Sequence, residues 1–481
     1  MTPAPHHAHP SQSPATATTP VTATPATAAH GRLHELDLLR FVAAAAVMLH
    51  HYVGEIVGWG PQGYDQMSGV SQATQYGNLG VDLFFLISGF VILMSAWGRG
   101  VDRFAVSRVV RLFPAYWFAV VLVLMVYLAT GLRWLPADEE RRGALEAFLP
   151  NMTMLQSGLH VQSLEGVYWT LWVELHFYVL VAVALLAKRG MTYGRCIAFM
   201  VAWLLAGVFA QEVDSTLLMA LLVPTWAPYF VAGMAFYLMY RFGPNLALTL
   251  IIGFSWALAT YHRTTVLNPV LALPETRNLA IPLGVTLVFA IMWLVSTRRM
   301  GWLGVRGATV LGALTYPLYL VHETLGRVVR EQLGDALGSW ETLGVSVVVA
   351  LTVSYAVYRL VEVPAQGWLR PRLTTAFEQI RLQGAGVAAK ASSPAPAASA
   401  LTQAPGEVHA QAPVPAQTSS VSAQSSSAPA QTSTVPAQTS ATAVQPGPSY
   451  GGRPYGEPVA GEAPLEGRWE SVRTAPGDGM P

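Results

Sequence analysis

Arg40 and His51 stand eleven residues apart inside an apolar segment, HELDLLRFVAAAAVMLHHYVGEIVGW, that runs from His34 to Trp59. At about 100° per residue they fall roughly 20° apart around a helix, on a face that also carries Asp37, with His50 turned about 80° away. Their separation along the axis is roughly 16 Å. An ionisable side chain in hydrocarbon is costly and points to function by default. Three more sit in apolar runs: Asp82 in GVDLFFLISGFVI, Glu174 in WTLWVELHFYVL and His322 in TYPLYLVHE. Counted along helices that enter from alternate sides, all three reach the depth of His51. Histidine is the natural base at neutral pH and a carboxylate can orient it, so such a group could take the proton from a hydroxyl. The same residues would serve equally as the proton relay of a transporter or flippase.

At the other end of the membrane, RGVDRFAVSRVVRLFPAYW places Arg108 and Arg111 three apart on one helical face. Two arginines so spaced suit a phosphate. They suit anionic membrane lipid and topology equally well. The aromatics Tyr116, Trp117, Trp169, Trp172, Phe177 and Tyr178 read as interfacial belt or packing.

These residues need a bilayer around them, and the composition supplies one. Of 481 residues, 52% are hydrophobic and 11% charged, with a mean hydropathy of +0.40, which places the chain among membrane proteins. A net charge of +1 argues against a nucleic-acid partner. The single cysteine, Cys196, excludes an internal disulfide and a cysteine-ligated metal. Apolar runs of spanning length fall near residues 35–58, 78–98, 112–132, 166–187, 194–211, 216–240, 244–261, 278–297, 307–325 and 341–362. The expectation is an all-α, polytopic transmembrane bundle of about ten spans.

Alternate connections are basic: Arg99 and Arg103 with Arg108 and Arg111, then Lys188, Arg189 and Arg195, then Arg298, Arg299 and Arg306, then Arg370 and Arg372. The positive-inside rule therefore sets both termini in the cytoplasm, in a cytoplasmic (inner) membrane. Loop 133–165 becomes the largest structured connection outside and could cap a site there. Residues 1–31 read as a disordered leader with no signal peptide, in which His6, His7 and His9 are solvated. The membrane domain covers 32–372. From 373 to 481 a surface helix after Pro371 is expected to give way to a low-complexity tail with PAQTS repeated at 415, 429 and 436.

The chain resembles the acyltransferase 3 family of integral membrane acyltransferases. The family's arginine and histidine with ten residues between are matched by Arg40 and His51; its GV-acidic-LFF-x-x-SGF motif by Gly80 to Phe90; R-x-x-R-L-x-P-x-Y-W by Arg108 to Trp117; W-[ST]-L-x-V-E-x-x-F-Y by Trp169 to Tyr178; S/T-Y-x-L-Y-L-x-H by Thr315 to His322; and a terminal E-x-P by Glu362 to Pro364. All stand in the family's order. The resemblance implies an acyl-CoA donor, commonly acetyl-CoA, entering from the cytoplasm, no metal, and transfer to a hydroxyl of an extracytoplasmic or lipid-linked carbohydrate or glycolipid. It implies that His51 is the general base, that Arg40, Arg108 and Arg111 engage the donor, and that Glu174 supports the base or the acceptor hydroxyl. Asp82 and His322 join the catalytic site by the same mapping. Where family members often carry an acidic residue and Gln after the motif glutamate, this chain has Leu175 and His176, and no fused hydrolase-like domain is read in it.

Overall fold

A computed structural model of the chain describes residues 1, 33–54, 60–130, 140–186, 191–267, 279–305 and 307–391. The leader with its histidines, the PAQTS tail, Lys188, Arg189 and Arg306 lie outside the described residues. The helices are α1 (His34–Leu49), α2 (Gly60–Thr74), α3 (Leu79–Ala96), α4 (Val101–Thr130), α5 (Glu140–Met152), α6 (Trp169–Leu186), α7 (Tyr193–Glu212), α8 (Thr216–Leu222), α9 (Ala227–Phe242), α10 (Leu246–Tyr261), α11 (Ala280–Ser296), α12 (Ala308–Leu333), α13 (Ser339–Val357) and α14 (Val363–Ala391).

Each of the ten expected spans coincides with a helix, with α8 and α9 sharing the sixth. Seven helical stretches among the described residues are long and apolar enough to cross a bilayer. Of the remaining three, α10 and α11 have 16 and 17 residues, short of the roughly 20 a perpendicular span needs. The third, α12, has 26 but carries Glu323, Arg327, Arg330 and Glu331 near one end. Large apolar side chains such as Val183, Leu205, Leu250 and Leu287 are more than half exposed. Water would penalise such a surface, whereas lipid matches it.

The middle of the bundle is α3, whose residues Gly80 to Phe90 are buried throughout except for Phe84. Glycines let its neighbours come close. A Cβ on Gly80 would meet the Ala43 carbonyl of α1 at 2.5 Å, while Gly89 and Gly233 face each other across α3 and α9, each against the other helix's backbone. On its other side α1 packs along α12.

Two departures from the expected elements bear on the site. First, α1 gives way at His50 to a π-turn, His50–Gly54, so the 100° step used to set His50 apart from His51 stops applying there. Second, α4 begins at Val101 and runs 30 residues through Pro114, so Arg108 and Arg111 lie within a helix rather than in a connection.

Candidate active site

Two cavities open inside the bundle. The first, of about 100 Å³, is lined by Arg40 from α1, Ser88 from α3, Arg108 and Arg111 from α4, Glu174 and Tyr178 from α6, and Tyr316 and Tyr319 from α12. Ser88 Oγ donates to Glu174 Oε1 at 2.5 Å. The Arg108 guanidinium lies 5.9 Å from the ring centres of both Phe104 and Tyr178. Three half-buried guanidinium groups line this cavity with one carboxylate, Glu174, while Asp37 stands near Arg40 and Glu362 near Arg111. That arrangement suits an anion that can accept forked hydrogen bonds.

The second cavity, of about 400 Å³, is lined by His50, His51, Gln75, Asn78, Gly166, Trp169, Trp226, Arg263, Tyr319 and Glu323 among others. Val81 and Tyr319 line both cavities and form the wall between them. The π-turn that carries His51 is fixed by the next residue: Tyr52 Oη donates to the His322 carbonyl at 2.7 Å, and the Tyr52 ring rests against Gly326. His51 and His322 then lie with ring centres 5.3 Å apart.

His322 is fully buried. Its Nδ1 lies 3.1 Å from the carbonyls of both Leu318 and Tyr319. Carbonyls only accept, so Nδ1 carries a proton, and in the neutral ring the lone pair lies on Nε2. That Nε2 has no hydrogen-bond partner among the described residues.

The structure divides the residues that the sequence grouped at one depth. His51 and His322 meet. Glu174 lies instead with Arg40, Arg108 and Arg111 in the basic cavity. Asp82 lines neither cavity: its Oδ1 and Oδ2 accept from Arg263 at 2.7 and 2.9 Å, and Oδ2 also accepts from Tyr229 at 3.2 Å. His50, expected to point elsewhere, lines the same cavity as His51, with the two ring centres 5.2 Å apart. His176 bonds its own helix through the Trp172 carbonyl at 2.8 Å and stacks edgewise on that indole.

Three charged residues escaped the sequence reading. Arg263 stands in the short YHRTT stretch at the end of α10. Glu323 follows His322 on α12. Glu165 ends a connection whose described part is held over α4, where Tyr116 Oη donates to the Asn151 carbonyl and Trp117 Nε1 to that of Met152, at 2.5 and 2.9 Å. The Glu165 carboxylate accepts from the Thr324 backbone at 3.0 Å and pairs with the Thr324 hydroxyl. The loop thereby delivers Gly166 to the wall of the histidine-lined cavity.

Residues 33–359 match the family model described as an acyltransferase domain. The chain is also similar to the exopolysaccharide production protein ExoZ of Rhizobium meliloti, 28% identical over 306 residues that cover 62% of this chain and 93% of that protein. No solved structure matches it. The matched stretch holds α1 to α13 and both cavities, and the chain belongs to this family of acyltransferases, as an integral membrane member of it.

Proposed function

We propose that the protein moves an acetyl group from cytoplasmic acetyl-CoA to a hydroxyl of an extracytoplasmic or lipid-linked carbohydrate. The observation that carries this reading is the pair of cavities with a shared wall at Val81 and Tyr319, one rich in guanidinium and the other holding His51. The name of the similar Rhizobium meliloti protein, which refers to exopolysaccharide production, supports a polysaccharide or its precursor as acceptor.

In this scheme Arg40, Arg108 and Arg111 hold the anionic donor, with Glu174 limiting their mutual repulsion. His51 takes the proton as the acceptor oxygen attacks the thioester carbonyl. The new C–O bond forms, the C–S bond breaks, and the departing thiolate is protonated to free CoA. His322, held in one tautomer by two carbonyls, presents an unshared lone pair beside His51 and steadies the charge that ring acquires.

The test is release of thiol from acetyl-CoA by the purified protein in nanodiscs with a glycan acceptor. Loss of a general base lowers turnover by roughly 10²–10⁴-fold, and His51→Ala should fall in that range. Undiminished release in that variant would remove His51 from the role. Absence of release from the wild-type protein across donors and acceptors would instead favour transport chemistry.

A further inference from the structure

The two cavities differ in charge as well as size. Guanidinium dominates the smaller one, whereas the charged side chains lining the larger are Arg263 and Glu323. Arg263 is committed: both Asp82 oxygens take its N–H groups, a third bond goes to the Asn78 carbonyl at 3.3 Å, and the guanidinium lies 5.5 Å from the Trp226 ring centre. Glu323 is only half committed. Its Oε1 accepts from Arg327 at 3.1 Å, but Oε2 is buried without a hydrogen-bond partner among the described residues. Gly166 brings its Cα close against that carboxylate, where a Cβ would stand 2.5 Å from Oε2.

A buried carboxylate oxygen with no donor is costly, and a ligand hydroxyl would relieve it. The same cavity is lined by two indoles, Trp169 and Trp226, with ring centres 5.1 Å apart. The remaining polar side chains of the lining are uncharged, Gln75, Tyr76, Asn78 and Tyr319 with the two histidines, set among apolar ones such as Val47, Leu79 and Ile281. A volume of about 400 Å³ lies within the range of small-ligand sites.

We propose that this cavity seats one uncharged pyranose unit of the acceptor, with an apolar ring face on Trp169 and hydroxyls accepted by Glu323, and that Glu323 excludes uronic acids. This rests on reading the His51 cavity as the acceptor side. A sugar carboxylate placed there would meet the Oε2 edge of Glu323, which faces no donor because Arg327 holds only Oε1, while Arg263 is already paired with both oxygens of Asp82. Like charges at such range disfavour binding strongly.

Saturation-transfer NMR of the nanodisc protein with methyl glucoside, galactoside and mannoside, set against methyl glucuronide and galacturonide, tests the assignment. Transfer to ring protons of at least one neutral glycoside is expected, with little or none to the uronides. Trp169→Phe should retain it and Trp169→Ala weaken it by about tenfold or more, each checked as monodisperse. Glu323→Gln, which keeps an acceptor and removes the charge, should narrow the gap between neutral and acidic sugars by about tenfold. Equal transfer to uronides, no transfer from any neutral glycoside, or indifference to both substitutions overturns the proposal. Thiol release from acetyl-CoA is measured on the same samples. Its absence with sugar binding intact would overturn the transferase reading and leave the sugar site standing; its presence without sugar binding would do the reverse.

Discussion

Glu165 is a carboxyl group placed where water cannot reach it. Burial, and after it the neighbouring Glu323 carboxylate, push it up to about 8 from an ordinary value near 4.5. The folded protein then holds this proton more tightly than the unfolded chain does, so stability falls as pH rises from about 4.5 through about 8 and is unaffected by this group below that window. Glu165→Gln keeps an acceptor for the Thr324 N–H and cannot titrate. Thermal midpoints of the two proteins should therefore draw apart as pH rises across that window, with the wild type falling further; parallel curves would acquit Glu165. The arginines make a second prediction at this scale. Removing a charge-assisted hydrogen bond costs about 1.5–3 kcal/mol, so Arg108→Ala and Arg111→Ala should each raise KM for acetyl-CoA by about tenfold or more. Acceptor KM should stay put, and movement of that term alone would take the donor away from the basic cavity.

Between elements, the Asp82–Arg263 pair ties α3 to the turn that follows α10, through two hydrogen bonds at 2.7 and 2.9 Å. Removing one partner of a buried pair strands the other's charge and costs about 3–5 kcal/mol, while replacing both with apolar residues is often neutral. Asp82→Ala should thus lower the unfolding midpoint sharply, and the double change Asp82→Leu with Arg263→Met should recover most of the loss in the same assay. Failure of the double change to recover it would mean that the charges matter beyond their pairing. The sequence made Asp82 visible but not its partner, because hydropathy weighs each residue against its neighbours in the chain and Arg263 lies 181 positions away. Helix positions were legible for the opposite reason: an apolar run of spanning length is a local property. The π-turn at His50–Gly54 was not, since a fixed 3.6-residue period cannot register an extra residue in one turn. Nor was α2, whose PQGYDQMSGVSQ carries no apolar stripe.

Across the whole molecule the helices agree on which ends belong together, even though the membrane itself was inferred from apolar lengths. The connection at Gly301–Leu303 sits beside the start of α1, where Thr309 Oγ1 bonds His34 Nδ1 at 2.9 Å, so it shares an end with Arg40. At the other end Gln211 bonds His262 at 3.1 Å, and the next residue, Arg263, lines the histidine cavity. Glu212 therefore lies toward the end of the histidine cavity and Gly301 toward the end of Arg40. The arginine-rich connections predict that the Gly301 end faces the cytoplasm, and the only cysteine, Cys196, is 1% exposed, so an introduced thiol can be labelled over a low background. On intact spheroplasts a membrane-impermeant maleimide should modify Glu212→Cys and spare Gly301→Cys until the membrane is permeabilised. Neither substitution removes a basic residue, so the charge pattern that sets orientation is untouched. The reverse labelling would turn the basic cavity outward, away from the cytoplasmic pool of acyl-CoA, and with it the proposed direction of transfer would fail.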